Sequence, residues 1–275
     1  ANRRAEQMFG YGENELAGRP VEALVPDSLR GHHAGLRHGY HGRPAQRRME
    51  FDHGTTLRAR RKDGSEFSAS ISLGPRQTRN GLTVTAIVLD VSDIVQREME
   101  IGRVNRALRL LTAADQAIRG AASESELLDT LCRIIVEVGG YRFAFIGLAE
   151  HDARKTVRPV AGSGFKEDSL DALVVTWDDS PTGRGVAGTA IRSGRHAAVR
   201  SIASDDAVAP WREALLKSGF ASAAAFPLRF EGAVQAVLVI YAATEDAFGT
   251  EECAQLEDLA ADIGYGISAL RAAES

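Results

Sequence analysis

Cysteine is scarce in this 275-residue chain: Cys132 and Cys253 are the only two, and each falls inside a helical pattern. Two distant thiols supply neither a disulfide framework nor a zinc spacing, which excludes a cystine-stapled scaffold and points to a reducing, cytoplasmic compartment. Both read as small buried apolar residues. Long apolar runs are missing as well. The longest, Ala233 to Ala243, is interrupted by Gln235 and is too short to span a bilayer. No secretory leader is visible, although a chain without a start methionine leaves an upstream membrane anchor open. A clustered basic face is also lacking. Residues 1–92 carry 14 Lys/Arg against 10 Asp/Glu and the remainder 19 against 27, so neither half offers the surface a nucleic acid needs. The one basic cluster, Arg58 to Lys62, ends a predicted strand before a turn and reads as a solvated hairpin tip. Catalytic signatures are absent. No Lys-Ser/Thr follows the glycines from Gly183 to Gly188, so they make no phosphate loop. The acidic neighbours Asp178-Asp179 and Asp205-Asp206 read as turn or cap residues. No nucleophile elbow or metal pair is found, and the chain is not expected to be an enzyme.

What is present is ordinary globular material, 44% hydrophobic and 25% charged, in a length that accommodates two domains. Helical stretches dominate to about Tyr40. Strands are predicted over Leu57–Arg61, Phe67–Leu73 and Leu82–Leu89, the second by its strict apolar–polar alternation. Asp63-Gly64 and Asn80-Gly81 punctuate them as hairpin dipeptides. From Asp93, whose spacing to Gln96 suits a capping box, to about Gly120 the pattern becomes heptad. Ile94, Ile101 and Leu108 recur at one seam position, and Val104, Leu111 and Ile118 at the other. Arg97 and Asp115 interrupt the seam. The expected outcome is a short parallel coil that makes a homodimer, the alternative being a monomeric helix whose stripe packs on the next domain.

Beyond the linker, Ser123-Glu124-Ser125-Glu126 is a capping box that opens a helix stopped by Gly139-Gly140. Strands are predicted over Tyr141–Leu148, Val157–Ala161, Ala223–Phe230 and Ala233–Tyr241, the last two turned at Glu231-Gly232. A final helix from Thr250 places Leu256, Leu259, Ile263, Ile267 and Leu270 on one stripe. The fold class expected is α+β, with antiparallel sheets flanked by helices.

Particular motifs extend this reading by resemblance. Asn2 to Gly18, with Phe9-Gly10-Tyr11 inside it, resembles the helical opening of a PAS domain. Arg61 to Phe67 resembles its tight later hairpin, and Asp90-Val91-Ser92 its exit signature. The two strands that open a PAS sheet are not found, so residues 1–92 are expected to be an N-terminally truncated PAS domain. Residues 93–120 then form a signalling helix, and 121–275 a second domain whose first helix is shared with the linker from about Asn105. That second domain resembles a GAF domain. The likeness is carried by Gly139 to Ala144, Trp177 with Pro181-Thr182-Gly183, Gly188 to Gly194, Pro210-Trp211-Arg212, Phe226-Pro227-Leu228 and Asp246-Ala247-Phe248.

The resemblance implies a fragment of a bacterial sensor histidine kinase or cyclic-di-GMP signalling protein whose output domain lies outside the chain. It implies a small-molecule pocket in the GAF part near Phe165, Trp177, Gly183, Gly185, Gly188 and Trp211. No cysteine lies on those loops, which disfavours a linked bilin and the sulfoxide-reductase use of the fold. Histidines concentrate between His32 and His53 without zinc spacing. Leu24-Val25-Pro26 followed by Arg30-Gly31-His32-His33 and Tyr40 resembles oxygen-sensing haem PAS domains, in which His33 would match the iron ligand. The likeness departs at Thr55, where that group has an arginine, and the plainer reading of His33 is a helix-surface or hydrogen-bonded residue. Signal transmission is assigned to Asp90 and Ser92 at the exit, and to Ile94, Ile101, Val104, Leu108 and Leu111 in the seam. A packed-shut dimerisation scaffold and a GAF-fold enzyme are the alternatives.

Overall fold

The computed structural model describes residues 1–42, 45–49, 57–79, 81–164 and 174–274. The chain divides into two compact units, Ala1–Gly102 and Arg103–Ser275.

In the first unit, α1 (Arg3–Phe9) starts where the Asn2 side chain accepts from the Ala5 N–H and stops at the left-handed Gly10. Two single turns, Val21–Leu24 and Asp27–Leu29, lead into α2 (Arg30–Gly42). The sheet is built on β3 (Glu66–Thr78). Along one edge β3 pairs β2 (Leu57–Arg60), from Leu57↔Ala69 to Arg60↔Glu66, and β1 (Arg47–Met49), from Arg47↔Leu73 to Met49↔Ile71. Along the other it pairs β4 (Gly81–Asp90) from Ala69↔Asp90 to Thr78↔Gly81. The expected meander is therefore present, and longer than alternation alone marks it. The Asp63 carboxylate accepts from both the N–H and the hydroxyl of Ser65, and Gly64 takes φ 91° in the turn between β2 and β3. Phe9, Ala59, Phe67 and Ala69 make the small core, with the Phe9 and Phe67 rings edge to face at 5.3 Å.

The long helix α3 (Ser92–Gly120) begins at Ser92 rather than at Asp93. The acceptor at its start is Asp90, whose Oδ1 takes the Ser92 N–H at 3.0 Å, so Asp93 falls in the first turn.

The second unit is a five-stranded antiparallel sheet in the order β6-β5-β9-β8-β7. Its strands are β5 (Phe143–Ala149), β6 (Val157–Ser163), β7 (Ala197–Val199), β8 (Ser222–Phe230) and β9 (Ala233–Ala242). Alternation puts Ala144, Ile146, Phe226, Leu238 and Ile240 on one face, against α4 (Glu124–Glu137), α7 (Thr250–Glu274) and the later turns of α3. Phe143, Phe145, Val237 and Val239 face the other side, against α5 (Val186–Ser193) and α6 (Arg212–Lys217). The capping box forms as expected: Ser123 Oγ accepts from the Glu126 N–H, and the Glu126 carboxylate accepts from the Ala122 N–H. Helix α7 lies so close over the sheet that a Cβ at Gly264 would sit 2.3 Å from the Arg229 carbonyl oxygen. One at Gly266 would sit 2.9 Å from Ile118 on α3. Among the described residues no helix is long and apolar enough to cross a membrane.

Candidate functional site

The first unit contains a cavity of about 360 Å³ between α2, the turn at Val21–Leu24 and the sheet. Its walls follow from the β period: Val84, Ala86 and Val88 of β4, with Ile71 and Leu73 of β3, present one face of the sheet to it. The volume lies near the lower end of ligand-binding pockets. Two features pin its helical side. Arg30 Nε donates to the carbonyls of Glu22 and Val25, tying the turn to α2. The Glu22 carboxylate meets His33 Nδ1 at 3.4 Å and Arg37 Nε at 3.2 Å. Its own backbone N–H, opposed by burial and helped by His33 and Arg37, holds that carboxyl below the usual range.

His33 thus lines the cavity with Nδ1 turned to a carboxylate, the orientation that ligating imidazoles use. Among the described residues the space, about 360 Å³, suits a compact molecule rather than a porphyrin, and Glu22 meets His33 in its wall. His41 Nδ1 and Nε2, His53 and Thr55 lie outside the described side chains.

The end of β4 is knotted to the start of α3. Arg61 reaches Asp90 Oδ2 at 2.7 Å, donates to the Met8 carbonyl, and lies 4.2 Å over the Phe67 ring. Ser92 Oγ accepts from the Ser68 N–H at 3.1 Å. Burial raises the Asp90 carboxyl, but the bonds from Ser92 and Arg61 outweigh it and leave the group below its ordinary value. The sequence marks Arg61 as part of a solvated hairpin; its position beside Asp90, on the strand across β3, depends on the β2–β3 and β3–β4 registers.

Along α3 the seam residues divide. Ile94, Ile101, Val104 and Leu108 are 51–60% exposed. Leu111 and Ile118 instead pack on the second unit's core beside the buried Leu110 and Ala114, which no heptad position marks.

In the second unit the structure gathers five of the six expected pocket residues; Phe165 lies outside the described residues. Gly183, Gly185 and Gly188 are sites of close packing. A Cβ would fall 2.1 Å from the Asp178 carbonyl at Gly183, 2.7 Å from the Trp211 ring at Gly185, and 2.1 Å from the Gly183 carbonyl at Gly188. Arg192 donates to the carbonyls of Trp177, Asp178 and Gly183 and clamps the loop. Trp177 Nε1 donates to the Glu150 carbonyl, with Lys155 4.7 Å over its ring. Beside this loop Phe143, Phe220 and Tyr241 stack with centroids 4.9–6.1 Å apart. Phe143 and Tyr241 are cross-strand partners, which only the β5–β9 register reveals. Burial pushes the Tyr241 hydroxyl up to about 12. Cys132 and Cys253 are both buried on helices, α4 and α7, away from these loops.

The GAF domain family model matches residues 121–268, just over half of the chain. The chain belongs to the GAF domain family. Among solved structures, the GAF unit is similar to free methionine-R-sulfoxide reductase from Neisseria meningitidis. That match has 18% identity, covers 61% of this chain and 93% of the other, and has a TM-score of 0.50. It is also similar to the GAF domain of an Acinetobacter phosphoenolpyruvate-protein phosphotransferase (14% identity, 62% and 96% covered, TM-score 0.47). A third is the NLH2 GAF domain from A. aeolicus (16% identity, 62% and 98% covered, TM-score 0.46). At these identities the likeness is one of fold. A comparison with curated proteins finds no match.

Proposed function

We propose that this GAF-domain chain is the sensory part of a bacterial signal-transduction protein. A small molecule held in the first unit's cavity alters the sheet, and the Asp90–Arg61–Ser92 knot carries the change into α3. The observation that carries this reading is the placement of the knot: the strand that walls the cavity, β4, ends in the residue that starts the helix. The sequence resemblance of residues 1–92 to a PAS domain supports the same assignment. Helix α3 delivers the change to the GAF core through Leu110, Leu111, Ala114 and Ile118. Its exposed stripe pairs with a second copy, and the output domain, a histidine kinase or a cyclic-di-GMP enzyme, reads the resulting helix rotation. The protein works in the cytoplasm.

Within the GAF unit, tight glycine packing against Thr176, Asp178 and Trp211 supports a relaying role for that loop. One solved relative is a methionine sulfoxide reductase, so a catalytic reading has a definite test: turnover of free methionine sulfoxide by the purified chain would overturn the non-enzymatic assignment. The relay is tested by hydrogen exchange. Ala86→Phe, which places a ring in the cavity, is expected to change exchange across Ser92 to Leu108, and Asp90→Ala to abolish that change. Identical α3 exchange in wild type and Ala86→Phe would sink the relay.

A further inference from the structure

The cavity of the first unit has few polar neighbours, and each of them already has a partner or water. Val21, Leu29 and Leu36 line it and remain 42%, 44% and 48% exposed, marking an apolar mouth, while Phe9, Ala59 and Tyr40 are buried and mark its floor. The Glu22 carboxylate meets both His33 Nδ1 and Arg37 Nε, so the position an anion would occupy is filled from within the chain. Arg58 has Glu66 at 3.4 Å, and the Tyr40 hydroxyl donates to the Ala45 carbonyl at 2.7 Å. His32, the remaining polar residue of the lining, is exposed and open to solvent. Among the described residues no carboxylate lines the space to receive a cation. A charged ligand of either sign would therefore give up its hydration without a partner. Water in the cavity has few polar groups to bond, so replacing it with carbon is favourable.

We infer that this cavity, taken as the signal site of the reading above, accepts a compact, uncharged, hydrocarbon-like molecule the size of two fused rings. Its body would lie between Ile71, Leu73, Val84 and Val88 of the sheet and Leu24 and Leu36 on the helical side. A dry apolar cavity of roughly 150 Å³ holds benzene, and the space here, about 360 Å³, is a little more than twice that. Naphthalene matches it in size and in its lack of charge.

Equilibrium dialysis of the whole chain against naphthalene, naphthoate and naphthylmethylammonium tests the inference, since the three share one body and differ in charge. Naphthalene is expected to bind one to one and about tenfold or more tighter than either ion, because each ion loses hydration that the walls do not replace. Ala86→Phe, with folding checked by circular dichroism, is expected to abolish naphthalene binding, and the ranking of the three in the wild type holds whatever the folding of that variant. Glu22→Gln vacates the anion position beside Arg37 and is expected to raise naphthoate affinity by about threefold or more, leaving naphthalene unchanged. Bound naphthalene is also expected to change hydrogen exchange across Ser92 to Leu108. Either ion binding the wild type as tightly as naphthalene would overturn the uncharged assignment and leave the relay standing. A naphthoate affinity unmoved by Glu22→Gln would overturn the role of Glu22 in excluding anions. Naphthalene binding that survives Ala86→Phe would place the ligand elsewhere and overturn the assignment. Binding that leaves α3 exchange unchanged would overturn the relay but not the ligand class, and no binding of any of the three would overturn both the ligand class and the cavity's role as the signal site.

Discussion

Leu108 and Leu110 stand two residues apart on α3 and should respond to the same substitution in opposite ways. Leu108 is 57% exposed and Leu110 only 6%. Burying a leucine fully contributes roughly 1.5–3 kcal/mol, so the half of Leu108 still in water represents about 1–1.5 kcal/mol for a partner helix to gain. A symmetric dimer contains two, and Leu108→Glu therefore removes about 2–3 kcal/mol of association, before like-charge repulsion across the seam. That weakens the dimer roughly 30- to 150-fold, while the folded monomer loses almost nothing. The whole stripe explains why one change suffices. Ile94, Ile101, Val104 and Leu108 from two chains together offer about 8–12 kcal/mol, close to the association cost of roughly 4–15 kcal/mol. Leu110→Glu instead places a charge among Leu127, Leu131 and Leu256 of the second unit's core, and should destabilise the GAF unit by about 3–5 kcal/mol or more. Sedimentation velocity at tens of micromolar, with thermal unfolding alongside, separates the two effects. A wild type that sediments as a monomer, or a Leu108→Glu variant that stays dimeric with an unshifted constant, would refute the argument and move any interface off this stripe.

Three further outcomes are expected. Asp90 has its folded pKa held below the unfolded value, so its contribution is complete above roughly pH 4 and lost as pH falls through the folded value; Asp90→Asn should flatten the first unit's acid-unfolding profile below about pH 4, and an unchanged profile would discount the knot. Gly264→Ala forces a methyl against a backbone oxygen and should cost about 1–3 kcal/mol in GAF stability. Gly266→Ala meets side chains that shift more readily and should cost less, the two being ranked by chemical denaturation. Cys132, its thiol pushed up to about 12 mainly by burial and secondarily by Asp129, should react with a thiol reagent only on unfolding, and rapid native labelling would contradict its place in the core.

The sheets were legible where a local rule was strong. Phe67 to Leu73 alternates, Glu231-Gly232 supplies two positive-φ residues between β8 and β9, and Ser123 with Glu126 caps α4. The sequence missed β1 because Arg47-Arg48-Met49 has no strand character of its own and is recruited by Ile71 to Leu73. It stopped β3 too early because Gly74-Pro75 reads as a break, although pairing with β4 continues to Thr78. The heptad rule located the exposed stripe but assigned Leu111 and Ile118 to the same seam, since periodicity cannot say which partner covers a face. The cavity was the least legible feature. Its residues come from α1, α2, the two turns before α2 and three strands, and the motif from Leu24 to Tyr40 marks only its helical side. In the GAF loop the glycines were found by sequence, but their role as close-packing positions depends on carbonyls of Thr176, Asp178 and Gly183 that the fold brings beneath them.

The two faces of α3 also limit how such a chain can change in length over evolution. Its exposed stripe ends at Leu108 and its buried stripe begins at Leu110, so a fixed angular phase joins them along one helix. Inserting one residue beside Arg109, between the two stripes, would turn the first by about 100° relative to the second, enough to aim it at a different neighbour. Seven residues would restore the phase to within about 20°. Viable insertions and deletions in this helix should therefore come in whole heptads, and a library of variants with lengths stepped one residue at a time should show function returning with that period.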